Sequence, residues 1–211
     1  MILKREQLPI LIANIFTIIL FTIIFISRKN YEFLIYVGVI VFFLIVILMT
    51  NSVIEYPNNI LWGLTIWALM HMSGGGIIID GKRLYEIILI PIVDSPYYIF
   101  KYDQLVHIFG FGIATLVMYY LLKPLLKEGL RKWVSLSIIV VMAGLGVGSL
   151  NEIIEFIATV ISPSTGVGGY ENTALDMVSD LIGAVIAMVY IYNKEKKVLR
   201  RSVNAQISKG S

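Results

Sequence analysis

Residues 133–161 read WVSLSIIVVMAGLGVGSLNEIIEFIATVI. The first 18 of these carry no charge, which is long enough to cross the hydrocarbon of a bilayer as a helix. Lipid offers no water to open backbone groups, so the segment should be helical throughout. Gly144 and Gly148 fall on the same helical stripe as Glu152, and Gly146 adds further space. Small residues at this spacing let helix backbones pack closely, within one chain or between two, which turns the stripe toward a bundle rather than toward lipid. Glu152 and Glu155, at i and i+3, share that face, and Asn151 lies one turn before Glu155. Lys132 precedes Glu152 by 20 residues. At 1.5 Å per residue this is a rise of about 30 Å, so the acids lie near the far boundary of the membrane. Two acids one turn apart either bind a cation or share a proton. At a helix end that lies in water they are merely solvated.

The rest of the chain fits that setting. Of its 211 residues 58% are hydrophobic and 15% charged, and the mean hydropathy is +0.84. A soluble domain of this length would carry more charge. Six spans are expected, at about 8–27, 32–50, 59–72, 102–122, 133–161 and 175–192. They form an all-α polytopic membrane bundle, with residues 1–198 as a single transmembrane domain. The first run is too long for a signal-peptide core and reads as a span. The third is short unless it continues into Ser73-Gly74-Gly75-Gly76, where glycine should break it. The fifth is long and should tilt or project.

Basic residues set the orientation. Of the 17 Lys and Arg, 12 fall on the side of the N-terminus, the 123–132 loop and the tail, and 5 on the other. This predicts N-in, C-in, a multi-pass protein of the cell (inner, cytoplasmic) membrane, and a basic cytoplasmic tail at 199–211 without order. In a membrane protein such a tail reads as headgroup contact, not nucleic-acid binding. Membrane lipids are the expected partners, and a homo-oligomer is open. Cysteine is absent, which removes thiolate ligands.

Two outer connections stand apart. In 74–101, Asp80-Gly81 between apolar runs signals a hairpin. The apolar 87–93 stretch that follows, with Pro91 inside it, suits a re-entrant or interfacial segment. Tyr97, Tyr98 and Phe100 suit the interface belt. Residues 162–174 are rich in Gly, Ser and Thr and read as a lid or a plain polar loop.

Further ionisable residues sit at the same depth. Asp103 and His107 are i, i+4 on the fourth span, as are Asp176 and Asp180 on the sixth. His71 ends the third. Spans alternate in direction, so His71, Asp103, His107, Glu152, Glu155, Asp176 and Asp180 all reach the outer side. Charges within spans are costly and tend to be functional or paired. Each pair also has a plain reading: an interfacial ion pair for Asp103 and His107, a helix N-terminal anion for Asp176, a hydrogen-bonded interfacial ring for His71. Mixed His and carboxylate ligands suit Zn, Mn or Fe, and an all-oxygen set suits Mg or Ca. No H-E-x-x-H, P-loop, nucleotide-binding glycine pattern or Gly-x-Ser-x-Gly elbow is present. Ser149 and Ser179 lie near the acids without a visible histidine partner.

Four short motifs occur in order: His71-Met72-Ser73-Gly74-Gly75, Tyr102-Asp103-Gln104-Leu105-Val106-His107, Asn151-Glu152-Ile153-Ile154-Glu155-Phe156 and Asn172-Thr173-Ala174-Leu175-Asp176-Met177, the last followed by Asp180, Leu181, Ile182, Gly183 and Ala184. Over residues 60–190 the chain resembles the YjdF-like family of uncharacterised inner-membrane proteins and, more distantly, the VanZ-like family. The first two spans carry no matching motif. VanZ-like members typically have asparagine where this chain has Asp180 and glutamine near Glu155. The YjdF-like pattern often has aspartate where this chain has Asn172. The resemblance implies a multi-span membrane protein, with VanZ-like relatives linked to glycopeptide-antibiotic tolerance, and implies no reaction.

Three functions remain in view. The first is a metal-dependent intramembrane enzyme, a hydrolase of lipid or lipid-linked substrate at the outer leaflet. Asp103, His107, Glu152 and Glu155 would be its catalytic set, and His71, His107, Glu152, Glu155, Asp176 and Asp180 would hold Zn, Mn, Fe or Mg. Asp103 would orient His107, His71 would close the site, and the two outer connections would gate it. The second is a cation- or proton-coupled transporter, disfavoured because the titratable groups crowd one side. The third is a structural or binding membrane protein with a polar seam.

Overall fold

The computed structural model describes residues 3–126, 132–161 and 168–210. Six helices carry the fold: α1 (Leu8–Ser27), α2 (Tyr31–Ile54), α3 (Asn58–Gly76), α4 (Tyr102–Leu122), α5 (Trp133–Ile161) and α6 (Tyr170–Gly210). Five are long and apolar enough to cross a membrane. The exception is α3, the segment that the sequence marks as short.

Local chemistry sets the boundaries. Asn30 caps α2 by accepting from the Phe33 amide at 3.2 Å. Glu55 ends α2 in the left-handed region, at φ 52°, and Pro57 starts the turn into α3. Gln7, Asn51 and Tyr56 tie this end together, with Asn51 Nδ2 donating to Gln7 Oε1 at 2.8 Å.

The glycine run does not break α3, which continues to Gly76. Its glycines are seats for rings. A Cβ on Gly74 would lie 2.4 Å from the Tyr85 ring, and one on Gly75 would lie 1.9 Å from the Phe33 ring. Tertiary packing outweighs the weak helix propensity of glycine here.

The sixth helix also exceeds its expected range. It starts at Tyr170 rather than 175 and stays helical to Gly210, through the tail read as disordered. Lys, Glu, Leu and Arg, which fill the early tail, are good helix formers. Of the 162–174 loop, 162–167 lie outside the described residues, and 170–174 form the first turn of α6.

The 74–101 connection holds two hairpins. In the first, β1 (Ile78–Ile79) pairs with β2 (Lys82–Arg83) across Asp80-Gly81. Both turn residues have positive φ, 49° and 79°, as a tight hairpin turn requires. In the second, β3 (Ile88–Val93) pairs with β4 (Ile99–Lys101) around an irregularity in register. The side chains of β3 are exposed. Between the hairpins, residues 84–86 form a single 3-10 turn that carries Tyr85 into the bundle mouth.

Helices α4, α5 and α6 form the tightest unit, with α4 against α6 the most extensive pair. Close approach explains it. A Cβ on Gly183 would lie 2.2 Å from the Ile108 carbonyl oxygen, and one on Gly144 would lie 1.9 Å from Thr115 Oγ1. The glycine stripe of α5 therefore packs within the chain. One apolar core, including Leu116, Val117, Tyr119, Val140, Met188 and Ile191, fills the end away from the acids. A second, including Phe21, Phe25, Phe33, Tyr36 and Met72, lies beside them.

Candidate functional site

Three helices supply the centre. His107, on α4, is 4% exposed, Asp176 1% and Asp180 0%. Asp180 Oδ1 accepts from His107 Nδ1–H at 2.9 Å. Asp103 Oδ1 stands 3.8 Å from His107 Nε2. Asp180, not Asp103, therefore orients the ring. The reason is packing: Gly148 and Gly183 let α5 and α6 close on α4 until Asp180 meets the imidazole. In the neutral ring, an Nδ1–H committed to Asp180 leaves the Nε2 lone pair toward the cluster, an arrangement that suits a metal-ligating histidine.

Two groups of potential ligands share His107. Asp103, His107 and Asp176 offer donor atoms within 4.8 Å of one another, and so do His107, Glu152 and Glu155. Asp180 enters neither group and serves as the ring's partner. His71 also enters neither. Its Nδ1 pairs with the Tyr85 hydroxyl at 2.5 Å, and that hydroxyl also approaches the His71 carbonyl at 3.0 Å. His71 still lines a cavity of about 80 Å³ together with Asp103, Glu155 and Asn172.

Asparagines bridge the acids. Asn172 Nδ2 donates to Asp176 Oδ2 and reaches Asp103 Oδ2 at 3.4 Å, joining α6 to α4. Asn151 Nδ2 donates to Glu155 Oε1 at 2.9 Å. The i, i+4 spacing of Asn172 and Asp176 is a signal that a later helix start conceals. Tyr85 and the Arg83–Glu32 pair, at 3.0 Å, carry no such local signal, because both depend on how the 74–101 connection folds back. Arg83 also lies 5.7 Å from the Phe33 ring centroid. The Ser149 and Ser179 hydroxyls donate to carbonyls of their own helices, of Leu145 and Leu175.

Charge does not balance within this set. Both Glu152 oxygens, Asp176 Oδ1 and Asp180 Oδ2 are buried without a hydrogen-bond partner among the described residues. Glu152 is itself only 9% exposed. Five carboxylates surround one imidazole. An effective burial penalty of several kcal/mol per ion demands positive charge or shared protons here. The donor set of imidazole and carboxylate oxygens fits a divalent cation of the Zn, Mn or Fe type.

Outside the membrane-spanning helices, burial and the nearby Asp103 carboxylate push the Tyr85 phenol well above its usual range. It is a neutral hydroxyl at any physiological pH.

The family of predicted membrane proteins DUF2238 matches residues 8–197, nearly the whole chain. The chain belongs to the DUF2238 family. This is the YjdF family of the four motifs, and the match extends over α1 and α2, where no motif is evident. Searches of curated proteins and of solved structures return no match. This DUF2238 member is thus a multi-pass helical membrane protein with a buried His and carboxylate cluster.

Proposed function

We propose that this protein is a metal-dependent intramembrane hydrolase of a lipid or lipid-linked substrate. It lies N-in and C-in in the cell membrane, with the site toward the outer face. The uncompensated carboxylates around His107 carry the reading, because Glu152, Asp176 and Asp180 bury oxygens that no described side chain satisfies and that a cation would. His107, Asp103, Asp176, Glu152 and Glu155 would hold the ion. A bound divalent cation supplies a water activated near neutral pH and polarises a phosphoryl or carbonyl oxygen. Asp180 keeps the His107 ring in place, and Asn172 and Asn151 position the carboxylates.

The apolar core beneath the cluster, with Val117 and Val140 buried, favours a one-sided site over a transport path. The distant VanZ-like resemblance belongs to this proposal too and leaves the reaction unchanged.

The test is metal content of the purified protein by mass spectrometry, beside Glu152→Gln and Asp176→Asn. A near-stoichiometric transition metal in the wild type, lost from both variants, supports the reading. Metal-free protein after supplementation with Zn, Mn, Fe and Mg overturns it in favour of a proton-shared seam.

A further inference from the structure

Helix α2 packs on α1 and makes little contact with α4 or α5. The resulting groove holds about 370 Å³ and is almost wholly apolar. On one wall it runs from Gly110 to Leu121 of α4, and on the other from Val39 to Thr50 of α2. Each stretch is eleven steps of 1.5 Å, so the groove is roughly 16 Å long. A cavity of 150 Å³ holds a six-carbon ring, which scales this one to a chain of roughly 15 carbons.

One end of the groove is the underside of the site. Trp67 and Phe111 line the groove. Their rings also stand 5.8 Å from His71 and 5.3 Å from His107. Asn151 lines it too and donates to Glu155. Hydrocarbon space and cation-type ligands are therefore separated by one layer of side chains. Gly110 makes the layer thin, since a Cβ there would lie 2.0 Å from Trp67 Nε1.

We infer that this groove is a binding site for one hydrocarbon tail of a lipid whose polar head lies at His107 and the carboxylates. Continuity with the site selects the occupant: the groove ends at the layer that carries His71 and His107, and an extended chain fits its length and volume together. The placement of the head rests on the proposed lipid-directed site, and occupancy of the groove by a tail does not.

The probe is 9,10-dibromostearate titrated into phosphatidylcholine bilayers that contain the full chain with Trp62→Phe and Trp133→Phe, which leaves Trp67 as the sole tryptophan. Bromine quenches an indole at contact. A bound tail gives quenching that saturates at low mole fraction. Ala114→Phe on α4 and Val147→Phe on α5 both fill the groove, and each is expected to raise the half-saturating mole fraction about tenfold. Each variant is checked for metal content, which groove filling leaves intact. Quenching that rises linearly and is the same in both variants means contact with bulk lipid, and overturns the inference. A shielded Trp67 in a protein that migrates as a dimer assigns the groove to a second copy and overturns it as well. Saturable quenching in wild-type protein that holds no metal after supplementation would leave the groove as a tail site while the hydrolase reading fails.

Discussion

The carboxylate of Asp180 occupies the space that a side chain on Gly148 would need: a Cβ there would lie 2.1 Å from Asp180 Oδ2. One missing methyl on α5 thus sets the position of a carboxylate on α6, and through it the ring of His107 on α4.

Gly148→Ala is expected to destabilise the protein by about 1–3 kcal/mol through overpacking, although alanine favours a helix by about 1 kcal/mol over glycine. Gly146→Ala is the control, because nothing lies within 4 Å of its Cβ. It should be neutral or mildly stabilising. Thermal unfolding of both in one detergent checks the pair, and equal behaviour would remove the steric account.

Asn172→Ala withdraws the one amide that touches both Asp103 and Asp176. Under the proposed cation site, metal affinity falls roughly 10–100-fold, the usual scale for a supporting group around a metal. Competition with a graded chelator series measures it. An unchanged affinity would mean that the two aspartates do not act on one ion.

Tyr85→Phe keeps the ring over Gly74 and deletes the hydroxyl that bonds His71. The expected cost is about 1–2 kcal/mol. Gly74→Ala, which blocks the ring itself, should cost more. The order of the two unfolding midpoints decides whether the ring or its hydroxyl matters more for closing the bundle mouth.

Stability should also fall in base. The Tyr85 pKa is raised in the folded protein, so its contribution is complete below the unfolded value of about 10. It is lost progressively as pH climbs above that toward the folded value. An ultraviolet titration should show one fewer tyrosine that ionises only on unfolding in Tyr85→Phe than in the wild type.

Helix type, the position of five of the six expected spans and the meeting of Asp103, His107, Glu152, Glu155, Asp176 and Asp180 were legible, because each rests on local spacing and on helices that alternate in direction. What depended on surroundings was not. The glycines of 74–76 looked like a helix break, since nothing local tells that Tyr85 and Phe33 come to fill them. Asp103 looked like the partner of His107 because it is four residues away. Asp180, 73 residues distant, is the closer partner at 2.9 Å, and only helix packing reveals it. His71 looked like a ligand by depth, but it enters neither donor group, and its Nδ1 pairs with a tyrosine from a connection whose path no periodicity encodes.

The seats at Gly74 and Gly75 are built from atoms that are not there. A side chain in a pocket can be trimmed or lengthened by a methylene, so its contribution changes by degrees. Gly74 and Gly75 allow no such gradation. The smallest available change already places an atom 2.4 Å from one ring and 1.9 Å from the other. Variation at the bundle mouth should therefore be stepwise, with a cliff at these two positions beside the exposed residues of β3.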